Sequence, residues 1–328
     1  MERREFLILS GTLATALAAS PVARASAAVD KPVPAGFRGP YIDLTTGKGN
    51  MLAAVRIDAN LDESKEKFAS VTGTVVGVRE GEALRDLFGF EVVSVARAWK
   101  QPEGDYRVLH REAILYTDLA TGKILTEWHN PYIDETVRVV DVINDPWNHH
   151  FAETIRPRGP DYGGLNKQAP GAERPYDFGL YDVGNGLVAN QLHINLYYKA
   201  ALQPDKWPRE SAGPMNRVSE FFTHVVKLDD LQNPDKTSVV HTGTWMRVTP
   251  WLPWMLMGQA PGHIMYHSTV QSFDTLDGFK PNVRAYMEKN HPHMLEAPPR
   301  SYWDKPNLSS LEVYALTEKP APLPAKKD

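Results

Sequence analysis

The chain has 328 residues, 42% of them hydrophobic and 23% charged, with a formal net charge of −4. That composition belongs to an ordered globular protein and excludes a disordered, collagen-like or coiled-coil chain. A pI near 6.3 supplies no basic footprint for nucleic acid. The absence of cysteine excludes disulfides, iron–sulfur clusters, thiolate metal sites and a cysteine nucleophile.

Residues 1–27 carry an export pattern and are set aside from the fold. Arg3-Arg4-Glu5-Phe6-Leu7 matches the twin-arginine signal, and Ala25-Ser26-Ala27 is a small-x-small cleavage site. The apolar run between them is too short for a membrane span, and Gly11, Thr12, Thr15, Ser20 and Pro21 interrupt it. Cleavage removes three arginines and two glutamates, which brings the net charge to −5. The expectation is a periplasmic protein with no stable membrane insertion after cleavage and no nucleic-acid partner.

Beyond the signal the dominant period is two. Short helices are predicted at 62–68 and 80–87, and strands at 71–79, 91–99 and 106–117. Asp118 to Gly122 reads as a turn, with 123–128 as the return strand of a hairpin, followed by a strand over 136–143. Residues 145–186 are rich in Pro, Gly and Asp and show no period, which predicts a long irregular loop. Further strands are predicted at 187–198, 219–228, 237–249, 263–273 and 309–316, with a helix at 282–289 and a frayed tail over 319–328. The pattern predicts a mainly β fold: an antiparallel barrel or sandwich, calycin-like, with a few short helices and one long loop. The domain reading is a single β-rich unit over 28–318, or two β halves at about 50–145 and 187–316 joined by 146–186.

Two blocks carry a family likeness. The run Tyr116-Thr117-Asp118-Leu119-Ala120-Thr121-Gly122-Lys123 with Trp128-His129-Asn130-Pro131-Tyr132 resembles an exported bacterial family catalogued as domain of unknown function 1838. Thr249-Pro250-Trp251-Leu252-Pro253-Trp254-Met255-Leu256-Met257-Gly258 and Pro261-Gly262-His263 are similar to that family's second block. The resemblance implies one mainly β unit and brings no catalytic residues with it.

Candidate site residues come from the faces of the strands. On 187–198, Gln191, His193, Asn195 and Tyr197 share one face, and Leu192, Ile194, Leu196 and Tyr198 the other. Amides, imidazole and phenol in a row suit a ligand-orienting lumen; an ordinary wet outer face is the competing reading. His193 is the expected base and Tyr197 the acid or oxyanion donor. His110 and Glu112 lie two apart on one face of 106–117 and form the rival dyad, with cross-strand pairing to an arginine as the other fate of Glu112. His241, Trp245 and Arg247 share a face of 237–249. Arg247 is expected to clamp a ligand carboxylate or, as the preferred reading, to pair with an internal acid. Trp254 and Met257 belong to a loop rich in tryptophan and methionine, either an adaptable pocket wall or core closing one end of a barrel.

No metal site is assigned. His291-Pro292-His293 with Glu296 has the wrong spacing for a cupin set; His263 and His267 are about 13 Å apart on a strand; His149 and His150 point to opposite faces when extended. The sequence has no G-x-S-x-G, no H-E-x-x-H, no Walker loop and no dinucleotide fingerprint. Two expectations follow. One is an enzyme without organic cofactor, of lyase, isomerase or hydrolase type, moving protons on an apolar or aromatic small molecule. The other is a carrier that holds such a molecule unchanged.

Overall fold

The computed structural model describes residues 42–156 and 169–324. The expected export segment at 1–27, residues 157–168 of the segment expected to be irregular and the last four residues lie outside them, while the described part of that segment forms strands at 142–151, 154–155, 174–175 and 180–184 rather than an unbroken loop.

The strands are β1 (Lys67–Val78), β2 (Arg85–Lys100), β3 (Tyr106–Thr117), β4 (Glu127–Asn130), β5 (Glu135–Arg138), β6 (Val142–Phe151), β7 (Thr154–Ile155), β8 (Arg174–Pro175), β9 (Leu180–Gly184), β10 (Leu187–Lys199), β11 (Met215–Lys227), β12 (Thr242–Thr249) and β13 (His263–Phe273). Nine of them form one antiparallel sheet in the order β6-β3-β2-β1-β13-β12-β11-β10-β9, curled into a half-barrel. The two predicted strand groups are therefore parts of one sheet. The pairing that joins them runs from Phe68 opposite Phe273 to Val78 opposite His263.

Among the described residues four α-helices accompany the sheet: α1 (Gly47–Asp58), α2 (Leu228–Gln232), α3 (Pro281–Asn290) and α4 (Ser310–Thr317). Helix α1 begins at Thr46, whose side chain accepts the Gly49 N–H. It crosses the inside of the curl. Ala53 and Ile57 pack against Val188 and Val226 of β10 and β11, while Met51 and Val55 pack against Ala96, Tyr106 and Val108 of β2 and β3. One helix that touches both wings of the sheet must lie on its inner face. Arg56, fully buried, anchors the helix end by donating to the carbonyls of Leu231, Asn233 and Lys236. Helix α3 covers the opposite side: Val283 and Met287 pack on Val93, Val95, Ala113 and Leu115.

Aromatic residues fill one part of the remaining inner face. Phe88, Phe90, Tyr116, Trp245, Trp254 and Tyr266 form edge-on and tilted ring contacts at about 5 to 6 Å, the geometry that the ring quadrupole favours. The void beside Arg247, Thr249 and Tyr266 is only about 20 Å³, room for a single water. This end of the curl is closed.

Several sequence expectations change. Residues 62–68 and 80–87 are turns running into β1 and β2 rather than helices. Residue 124 makes only an isolated bridge to Thr117, and the short ribbon pairs β4 with β5 instead. Residues 309–316 form helix α4, not a strand. Its capping box, Ser309 with Glu312, outweighs the β-branched and aromatic residues that suggested an extended run. Helix α1 went unread because Gly47, Gly49 and Asn50 dilute its first turn.

Candidate functional site

The cross-strand registers fix which side chains point inward. Opposite Val92, Phe90 and Phe88 of β2 stand Val71, Gly73 and Val75 of β1, and the same face continues through Tyr266, Trp245, Phe222 and Leu192 on β13 to β10. The inner face of β10 is therefore the apolar one. Gln191, His193, Asn195 and Tyr197 occupy the outer face and are exposed, Tyr197 by 53%. They do not line a lumen, and the expected His193–Tyr197 centre is corrected on that ground. On this surface His193 lies beside the Phe221 ring at 5.4 Å, Asn195 accepts from Ser219 Oγ at 2.9 Å, and Arg217 lies over the Tyr197 ring. Leu192, on the inner face, is 39% exposed, so this wing of the half-barrel is open.

Across the curl a different cluster forms. Asp58 is the last residue of α1, His110 is on β3 and His149 on β6. Asp58 Oδ2 lies 3.2 Å from His110 Nε2 and 3.1 Å from His149 Nδ1. The nitrogens and the carboxylate oxygen all fall within 4.8 Å of one another. The His110 side chain is only 5% exposed, whereas those of Asp58 and His149 are 30% and 40% exposed, so the group is rooted in the core and open on one side.

Register explains why His149 faces His110. Along β3 and β6 the pairing runs Ile114 to Val142 and Glu112 to Asn144, then shifts, and resumes with His110 opposite Trp147 and Val108 opposite His149. Two residues of β6, Asp145 and Pro146, thus stand against Arg111 alone. This bulge turns Trp147, His149 and Phe151 to the inner face. His150 points outward and bonds Asp105 at 3.1 Å.

The electrostatics follow from the contacts. His110 Nδ1 donates to the Trp147 carbonyl at 2.9 Å while Nε2 faces Asp58. Both ring nitrogens therefore meet acceptors, a situation that imidazolium satisfies. Burial works to lower the His110 pKa, but the Asp58 charge, its hydrogen bond and nearby Glu112 prevail and hold it up at about 9. Burial likewise works to raise Asp58, and the two imidazoles overcome it and keep the carboxyl well below its usual range. Aromatic groups surround the cluster. Trp147 packs on Ile194, Leu196 and Val218 of the opposite wing, and Phe151 is T-stacked with Tyr176.

Two further polar groups occupy the inner face. Lys67 Nζ donates to the carbonyls of Arg56 and Val239 at 2.7 and 2.6 Å, and its burial lowers the amine to about 7. His224 and His241 lie near it, ring to ring at 5.0 Å; burial lowers the first to about 4 and the second well below its ordinary value. Farther along, Glu220 pairs with Arg247 at 3.3 Å on adjacent strands. Burial raises the Glu220 carboxyl, Arg247 opposes this, and Glu112 adds to it.

Of the other expected residues, Arg247 is engaged by an internal acid, as the preferred reading had it. His241 is buried. Trp245, Trp254 and Met257 are packed into the closed aromatic core and do not wall an open pocket. Glu112 lies two residues from His110 on the inner face, but the direct partner of His110 is Asp58. His291 pairs with Asp141 at 3.0 Å, and Asp141 also accepts from the Tyr286 hydroxyl at 2.9 Å.

A family model described as protein of unknown function, DUF1838, matches residues 64–317. The chain belongs to this family. The matched span takes in His110 and His149 and begins after Asp58. No curated protein matches the chain.

Sequence reasoning did not find Asp58 or join His149 to His110. Asp58 ends a helix that was not predicted, and the face of His149 depends on a bulge. The one signal that bears on it is proline at position 146, since proline within a sheet is confined to edge strands, strand starts and bulges.

Proposed function

We propose that the chain is a periplasmic enzyme, needing no organic cofactor, that acts on an apolar or aromatic small molecule at the open part of the half-barrel's inner face. The observation that carries this reading is the convergence of two imidazoles on one carboxylate beside apolar side chains that solvent can reach. Reactive centres require charged groups held in fixed orientation next to a substrate surface. In this reading Asp58, His110 and His149 form the reacting centre, and Glu112 is the neighbouring proton acceptor. Leu192, Ile194, Phe222 and Trp147 offer the apolar contact. Lyase, isomerase and hydrolase chemistry all use such a set.

The test is a turnover screen of the mature chain, residues 28–328, against aromatic and aliphatic esters, lactones, β-hydroxy carbonyl compounds and enolisable ketones. The expected result is one active class, with Asp58→Ala losing at least about 100-fold and His193→Ala retaining full rate. Activity that survives Asp58→Ala, or that His193→Ala removes, overturns the reading. The exposed Leu192 on the inner face favours a second reading, a carrier. Tight binding of an aromatic probe with no turnover in the screen, lost on Leu192→Asp, supports that one instead.

A further inference from the structure

We infer that Asp58, His110 and His149 hold a divalent first-row transition-metal ion. The inference takes its location from the reading above but not its reaction, and the binding test uses no substrate, so either can fail without the other.

The donor set is two imidazole nitrogens and one carboxylate oxygen, without sulfur. Divalent zinc, iron, manganese, cobalt and nickel accept such a set, and two histidines with one carboxylate on one side of an ion leave its remaining positions open. Ligands about 2.1 Å from a common ion, at angles between octahedral and tetrahedral, are about 3.0 to 3.4 Å apart. Asp58 Oδ2 already stands 3.2 and 3.1 Å from the two nitrogens. The two nitrogens, at most 4.8 Å apart, need to close by up to about 1.4 to 1.8 Å, which a rotation of the partly exposed His149 ring supplies.

The surroundings also suit an ion. A metal-bound histidine commonly donates its other N–H to a carbonyl or carboxylate, which fixes its tautomer and its aim. His110 Nδ1 does so toward the Trp147 carbonyl at 2.9 Å, leaving Nε2 directed at Asp58. The three ligands come from a helix end and two strands that are separately braced, through Arg56 under α1 and the β3–β6 ladder. Ion entry requires an open side, and the exposure of Asp58 and His149 provides it. Glu112 stands two residues along β3 from His110 on the same face, and its charge acts on the His110 ring.

The test uses the tag-free mature chain, stripped with a chelator and titrated with cobalt(II) and then zinc(II). One equivalent of cobalt should bind with visible d–d absorption and be displaced by zinc. Asp58→Asn and His149→Ala, both at partly exposed positions, should each weaken cobalt binding by at least about 100-fold, since even outer partners of such ligands are worth 10- to 100-fold. His150→Ala and His193→Ala, whose side chains point away, should remain within about twofold. No cobalt binding at 100-fold excess by the folded wild-type chain overturns the inference, and so does binding that survives both ligand variants. His110→Ala is read only where circular dichroism shows the native fold; the two exposed positions decide the outcome by themselves.

Discussion

Replacing His110 with glutamine tests the charge pairing at the centre of the site. Glutamine keeps a donor near Asp58 but cannot become cationic. In the metal-free protein His110 titrates at about 9 instead of its ordinary 6.5. A raised folded-state pKa means that the folded chain binds the proton more tightly, so the contribution to stability is full below about pH 6.5 and disappears as pH rises through 9. The shift corresponds to roughly 3 kcal/mol. The lowered Asp58 pKa is the same interaction seen from its partner and is not added. Urea denaturation of chelator-treated protein should therefore show His110→Gln destabilised by roughly 3 kcal/mol more at pH 6 than at pH 10. In melting temperature the extra loss amounts to about 6–12 °C at pH 6. An equal loss at both pH values would refute the assignment of a charged His110 to Asp58.

Other sites give independent checks. Lys67 has a folded-state pKa of about 7 against 10.5. The cost of burying its charge is complete below pH 7 and fades toward pH 10.5, so wild type should gain roughly 3 kcal/mol on Lys67→Met between pH 7 and 10; a flat difference in urea denaturation contradicts this. A Cβ at Gly243 would fall 1.7 Å from the Thr223 carbonyl oxygen of the neighbouring strand. Gly243→Ala should thus cost more than about 2 kcal/mol in thermal melts, because backbone must move. Ser309→Ala removes the cap of α4 and should cost about 1 kcal/mol by the same measurement.

The long strands were legible because alternation survives wherever one face is buried. Strands β3 and β13 end where the residues predicted, and the α3 helix follows its Pro281 start. The alternation of β10 was equally legible, but which face turned inward was not. Gln, His, Asn and Tyr can line a cleft or face water, and only the partner strands decide. Here α1 fills the curl with Ala53 and Ile57 and calls for apolar neighbours on Val188 and Val226. For Arg247 the internal reading was correct because its cross-strand neighbour happens to be Glu220. The candidate centre was the least legible part. It joins a helix end, a strand and a bulged strand that are far apart in sequence, and a one-residue shift in β6 decides whether His149 or Asn148 faces His110.

The most direct measurement is anomalous diffraction from crystals of residues 28–328 soaked in zinc or cobalt and recorded at the metal edge. The account predicts one strong peak about 2.0–2.2 Å from Asp58 Oδ2, His110 Nε2 and His149 Nδ1, with the Nδ1 hydrogen bond of His110 to Trp147 intact. A direct hydrogen bond persisting between Asp58 and both imidazoles, with the peak elsewhere or missing, would contradict it.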